Sequence, residues 1–172
     1  LRRREHKTGD IRSSIDATAL EADLKQRLSG EVRFDAGTRS LYATDASNYR
    51  QVPIGVVLPR STDDLVETVA ICRRHGAPIL PRGGGTSLAG QCCNVAVVID
   101  CSKYLNRVVE LDPARRFARV QPGCVLDDLR KEAYPHSLTF APDPSTHTHC
   151  TLGGMIGNNS CGVHSVMAGN TS

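Results

Sequence analysis

One stretch limits what this chain can fold into more than any other: Pro81-Arg82-Gly83-Gly84-Gly85-Thr86-Ser87-Leu88-Ala89-Gly90-Gln91. Three consecutive residues without Cβ let the backbone approach another group closely and turn successive N–H groups toward an anion. Thr86, Ser87 and Arg82 add hydroxyl and guanidinium donors, and no acidic side chain interrupts the run. The stretch reads as a phosphate cradle, with a tight surface turn as the alternative that its surroundings have to exclude.

Those surroundings are informative. Ile54-Gly55-Val56-Val57-Leu58 is a β-branched run of the kind found in a strand buried on both faces. Pro59-Arg60-Ser61-Thr62-Asp63-Asp64 opens a helix with a hydroxyl cap and carboxylates in the first turn. Leu65, Val66, Val69, Ala70 and Cys72 are expected on its buried face, and Gly76 ends it. Pro78-Ile79-Leu80 is the next strand, so the unit is strand, helix, strand, which implies a parallel pair with a right-handed crossover. The glycines follow the second strand and lead to another strand at 95–100. A Rossmann fingerprint instead follows the first strand and opens a helix, and a P-loop ends in Gly-Lys-Ser/Thr. Neither pattern is present, so the cradle needs a different diphosphate-binding architecture.

The rest of the chain is read in the same way. Leu20, Leu24 and Leu28 repeat at helical spacing after a capping Asp16, and Gly30 stops the pattern. Residues 32–34 form a short strand, and 42–49 read as an exposed connection. Residues 107–111 and 116–120 flank the turn-forming Asp112-Pro113-Ala114 as an antiparallel hairpin. A short helix follows with Val125, Leu126, Leu129 and Ala133 on one face, and 141–145 is a proline-stiffened loop. Residues 151–162 have helical character but are full of glycine and asparagine, a weak helix by propensity. Small residues there make sense if the backbone lies against a flat or charged ligand.

The balance of charge excludes some classes. The net charge of +3 is too small to argue for nucleic acid, and the basic residues at 2–7 read as a solvated, disordered tail. Seven cysteines without a Cys-x-x-Cys pair, and no signal-peptide core, fit a reduced, cytoplasmic protein. No apolar run reaches the roughly 20 residues of a membrane span. The first residue is Leu1 and the last residues are loop-like, as expected of an excised piece. His147, His149, Cys150, Cys161 and His164 are dense enough to raise a zinc site, but alternating His147-Thr148-His149 suits a strand and no metal is assigned. Cys92 and Cys93 read as packed thiols.

Four ordered blocks carry a family resemblance: Pro-Arg-Gly-Gly-Gly-Thr-Ser at 81–87, Val-Gln-Pro-Gly at 120–123, Asp-Pro-Ser at 143–145 and Thr-Leu-Gly-Gly-Met-Ile-Gly-Asn-Asn-Ser-Cys-Gly at 151–162. The series resembles the FAD-binding domain of the vanillyl-alcohol oxidase and p-cresol methylhydroxylase (PCMH) superfamily. Within it the sequence is most similar to the glycolate oxidase, D-lactate dehydrogenase and D-2-hydroxyglutarate dehydrogenase branch, including long bacterial members with an iron–sulfur domain. The resemblance implies an α+β PCMH-type FAD-binding domain: a small βαβ subdomain, then a mixed or antiparallel sheet flanked by helices, truncated on the C-terminal side. Residues 1–40 would be a tail and helix, and 41–172 an incomplete FAD-binding domain without its cap or any iron–sulfur domain.

The same resemblance implies roles. Pro81, Arg82, Gly83, Gly84, Gly85, Thr86 and Ser87, with Gly90, would bind the FAD diphosphate. Pro122 and Gly123 would shape the adenine-side wall, and Pro144 and Ser145 would approach the flavin or diphosphate. Thr151, Gly153, Gly154, Gly157, Asn158 and Gly162 would lie along the cofactor. Thr86 stands where some relatives carry a tethering histidine, so FAD is expected to be non-covalent; Cys150 lies near where a few use a cysteine, but position alone does not make a thiol react. The implied reaction is oxidation of a 2-hydroxy acid by hydride transfer to flavin N5, with the base outside this chain and no nucleic-acid or membrane partner. A non-catalytic flavin- or nucleotide-binding module is the alternative.

Overall fold

The computed structural model describes residues 15–171. The basic tail expected at 2–7 lies outside them. A four-stranded sheet runs in the order β1 (Glu31–Arg33), β2 (Gly55–Leu58), β4 (Val97–Asp100) and β3 (Ile79–Arg82). β1 is antiparallel to β2, and β4 is parallel to both β2 and β3. The expected strand–helix–strand unit is present, but β2 and β3 are not direct neighbours. The all-buried Val97-Val98-Ile99-Asp100 strand takes the central place between them, as its continuous apolar run suits a position covered on both faces.

Helix α1 (Ala17–Arg27) starts where Asp16 accepts the amides of Thr18 and Ala19 at 3.0 Å each. It buries Leu20 and Leu24 beside Val32, Val57, Ile71 and Val97. Each such leucine contributes about 1.5–3 kcal/mol by leaving water. Helix α2 (Ala36–Leu41) was not foreseen. Its signal is Asp35, which accepts the Thr38 amide at 2.8 Å and the Thr38 hydroxyl at 2.9 Å.

Helix α3 (Thr62–Arg74) forms as expected, capped by Ser61, but it is rotated. Its buried residues are Asp64, Thr68, Ile71 and Cys72, while Val66 and Val69 are 65% and 45% exposed. Two polar residues can face inward because their groups are satisfied. Asp64 accepts the Ser29 amide at 2.9 Å, the Ser29 hydroxyl at 2.9 Å and the Arg60 amide at 2.8 Å, and Thr68 donates to the Asp64 carbonyl at 2.6 Å.

The second unit begins with the expected hairpin, β5 (Val108–Asp112) and β6 (Phe117–Val120), which carries a bulge between Val108 and Glu110. Helix α4 (Leu126–Ala133) packs Leu126 and Leu129 against Cys124, Cys150, Leu152 and Met155, with Val108, Ala118, Val120 and Phe140 around them. Helices α5 (Leu152–Gly157) and α6 (Ser165–Ala168) complete the order. His147 and His149 lie in a turn, not a strand: Cys150 donates its amide to the Thr146 carbonyl at 2.8 Å. Among the described residues no helix is long and apolar enough to cross a membrane.

Candidate functional site

β3 and β4 are parallel neighbours, so the chain must travel back the length of a strand between them. It does so without a helix, and residues 83–96 are that crossover. The glycine run therefore leaves the carboxyl end of β3 as irregular backbone, where ligands of open α/β sheets bind. Among the described residues, the amides of Gly84, Gly85, Thr86, Ser87 and Leu88 donate to no protein acceptor.

The loop faces the start of α5. A Cβ on Gly83 would fall closer than 3.0 Å to the Thr151 hydroxyl, and one on Gly84 equally close to the His149 carbonyl oxygen. Only residues without side chains allow this approach. Gly85 has φ +68, a conformation that glycine adopts without strain. Thr151 caps α5 by accepting the Gly154 amide at 3.3 Å, and its own backbone bridges Val125, which ties α5 to α4. A Cβ on Gly153 would lie 2.8 Å from the Pro122 carbonyl oxygen.

Between loop and helix lies a cleft of about 640 Å³. Cofactor sites typically occupy roughly 300–1,000 Å³. Its lining includes Pro81, Gly83, Gly84, Gly85, Thr86 and Ser87 from the 81–91 stretch, and Pro122, Pro144, Ser145, Thr151, Gly153, Gly154, Gly157 and Asn158 from the later segments. Arg82, Gly90, Gly123 and Gly162 do not line it. Gly123 packs on the backbone of Cys101 and Ser102, and Gly162 on that of Asp143. Arg82 donates from Nη1 to the Cys92 carbonyl at 3.0 Å and from Nη2 to the Thr44 carbonyl at 2.8 Å, so both terminal nitrogens are held by backbone carbonyls. No Asp, Glu, Lys, Arg or His is among the lining residues described. Its donors are hydroxyls, carboxamides and backbone amides.

Residues 53–172 match the family described as FAD binding domain. The chain belongs to that family. It is 36% identical over 155 residues to D-2-hydroxyglutarate dehydrogenase of Pseudomonas putida, a match covering 88% of this chain and 15% of that protein. It is 35% identical over 159 residues to glycolate oxidase subunit GlcD of Bacillus subtilis, covering 88% of this chain and 34% of the relative. The chain thus spans a minor part of the curated relatives it matches. Among solved structures, alkyldihydroxyacetonephosphate synthase superposes with a TM-score of 0.79 at 23% identity, over 89% of this chain and 31% of that one. p-Cresol methylhydroxylase with substrate bound gives 0.72 at 16% identity, over 83% and 29%. The fold is the PCMH type.

This FAD-binding domain presents the chemistry that a diphosphate requires. Hydroxyls and backbone amides that have no protein acceptor among the described residues border one cleft, and side chains at Gly83 or Gly84 would push the loop away from Thr151 and His149. Leu88, Ala89, Gln91, Cys92, Thr146, Met155, Asn159, Ser160 and Cys161 also line it and carry no cofactor role in the sequence reading. Their signal was adjacency alone, since each sits within or beside the 81–91 stretch or one of the other blocks.

His147 and His164, near the cleft, pair with carboxylates outside its lining. His147 Nδ1 pairs with Asp127 at 2.8 Å, and His164 pairs with Asp143. Hydrogen bonding from His164, first from its backbone amide, holds the Asp143 carboxyl below its usual range. Cys150 is 6% exposed, and burial raises its thiol pKa. Among the described residues no three His, Cys, Asp or Glu side chains group as a metal site.

Proposed function

We propose that this FAD-binding domain holds FAD non-covalently and is the flavin-holding part of an oxidoreductase acting on 2-hydroxy acids. The observation that carries the reading is the stretch 84–88 of the crossover, whose amides have no protein acceptor among the described residues and which flanks a cleft walled by the glycine-bearing start of α5. Gly83 and Gly84 let the loop close against Thr151 and His149, and Thr86 and Ser87 add hydroxyl donors. Pro122, Pro144 and Ser145 shape the far wall, and Thr151, Gly153, Gly154, Gly157 and Asn158 lie along the cofactor. Gly90, Gly123 and Gly162 permit close loop packing behind that surface.

Non-covalent binding is supported by Thr86, which carries no nucleophilic nitrogen, and by Cys150, whose buried thiol is pushed away from the thiolate form. When bound, FAD supplies the hydride acceptor for oxidation of the substrate carbon. The names of the relatives support a 2-hydroxy acid as substrate. Substrate binding and the base would come from polypeptide outside this chain, in which we treat 41–172 as an incomplete domain preceded by helix α1. In a long relative the electrons would pass to an iron–sulfur domain.

The test uses the whole open reading frame that contains this chain. Anaerobic D-2-hydroxyglutarate, D-lactate or glycolate should bleach the flavin absorbance of the purified protein. Retained flavin that none of the three bleaches would refute the substrate class.

A further inference from the structure

The 42–51 segment looks like a passive connection and precedes the matched residues 53–172, yet it makes a chain of contacts with the back of the glycine loop. The Ala46 amide donates to the Gly85 carbonyl at 3.0 Å. Asp45 accepts the Cys92 amide at 3.2 Å, and its other oxygen accepts the Ser47 amide at 2.9 Å. Tyr49 lies under Gly90, where φ is +78 and a Cβ would be 2.8 Å from the ring. Tyr42 donates its hydroxyl to Asp100 at 2.7 Å and offers its ring face to the Arg82 guanidinium, 5.3 Å from Cζ to centroid.

Arg82 joins these contacts into one brace. Its two terminal nitrogens reach Thr44 on the strap and Cys92 at the far end of the loop. A Cβ on Gly85 would lie 2.6 Å from Nη2, so the left-handed turn at Gly85 fits over the guanidinium. The planar fork can hold two carbonyls and stack on a ring at once, which a lysine ammonium cannot. Two of its five N–H groups are committed this way, and Arg82 is absent from the lining of a cleft that carries no described charge.

We propose that Arg82 is a positioning residue, which clamps the 42–51 strap to the loop and sets its shape, and that the cradle recognises a diphosphate through neutral donors alone. The second half rests on the FAD reading above; the first does not.

Two measurements separate them. Hydrogen exchange on the FAD-free chain reads the amides of Ala46, Cys92 and Cys93, which are bonded across or within the braced loop. Arg82→Gln and the charge-conserving Arg82→Lys should both speed exchange there, as should Tyr42→Leu, which keeps every cationic group. Wild-type protection in both Arg82 variants would overturn the brace. FAD titration then tests the neutral cradle. Wild-type affinity should change little between roughly 0.05 and 0.5 M salt, because few ion pairs are there to be screened. Both Arg82 variants should lose about tenfold in affinity, the scale of one hydrogen bond to a charged group. A steep salt dependence in the wild type, or an Arg82→Lys that keeps its affinity while Arg82→Gln loses it, would show a phosphate-pairing arginine and overturn the proposal. A wild-type chain that binds no FAD would sink the cofactor reading and the neutral cradle with it, while the exchange data still decide the brace.

Discussion

Gly84 packs directly on the carbonyl of His149, so two segments far apart in sequence meet with no room for a side chain. That contact brings the crossover against the turn leading into α5 and defines one wall of the cleft.

Gly84→Ala should therefore force the loop and the 146–151 turn apart. Overpacking of this kind costs about 1–3 kcal/mol. We expect a lower midpoint in thermal unfolding and FAD binding weakened by at least tenfold. An unchanged midpoint together with unchanged affinity would contradict the packing.

Gly157 supplies the opposite case. It ends α5, and a Cβ there would meet no atom within 4 Å. Gly157→Ala should leave stability unchanged or raise it by up to about 1 kcal/mol, since alanine loses less backbone entropy in a helix. A marked loss in denaturant titration would place the end of α5 elsewhere.

Asp64 makes the fold pH-sensitive on the acid side. Burial alone would raise its pKa, but hydrogen bonds from the amides of Arg60 and Ser29 and the Ser29 hydroxyl hold it below 3.8. A depressed folded pKa gives stability that is complete above the unfolded value and fades as pH falls through the folded one. Asp64→Ala, which leaves those donors unpaired, should cost about 1–3 kcal/mol near neutral pH. The gap to wild type should shrink below about pH 4. Glu31, held at about 2 by Lys103, Tyr104 and Arg33, leaves a residual acid slope in the variant. A gap that stays constant into acid would refute the role of Asp64.

Thiol labelling reports on the cleft directly. Cys161 is exposed and lines it, whereas burial raises the pKa of Cys72 (to about 11), Cys124 and Cys150. Iodoacetamide should modify Cys161 first, and Cys72, Cys124 and Cys150 only on unfolding. Added FAD should slow labelling at Cys161. Equal rates with and without FAD would mean that the cofactor does not cover this wall.

Much of this was legible in sequence because local chemistry decided it. Asp16 and Ser61 caps, the Asp112-Pro113-Ala114 turn and the β-branched runs each specify their element within a few residues. What escaped reading depended on distant partners. The inward face of α3 looked polar because Ser29, which satisfies Asp64, is 35 residues away. The central place of β4 is a tertiary choice among similar apolar strands. Arg82 looked like a phosphate ligand because its type suits that chemistry; its actual partners, Thr44 and Cys92, carry no sequence signal since both are backbone carbonyls. The strap at 42–51 was passed over for the same reason.

The central claim is that the cleft between residues 83–92 and the start of α5 holds FAD without a covalent bond. The direct measurement is fluorescence titration of the purified chain with FAD, followed by acid precipitation of the complex. The account predicts saturable binding, weakened in Gly84→Ala, with all flavin released to the supernatant. No binding at saturating FAD, or flavin that stays with the precipitated protein, would contradict it.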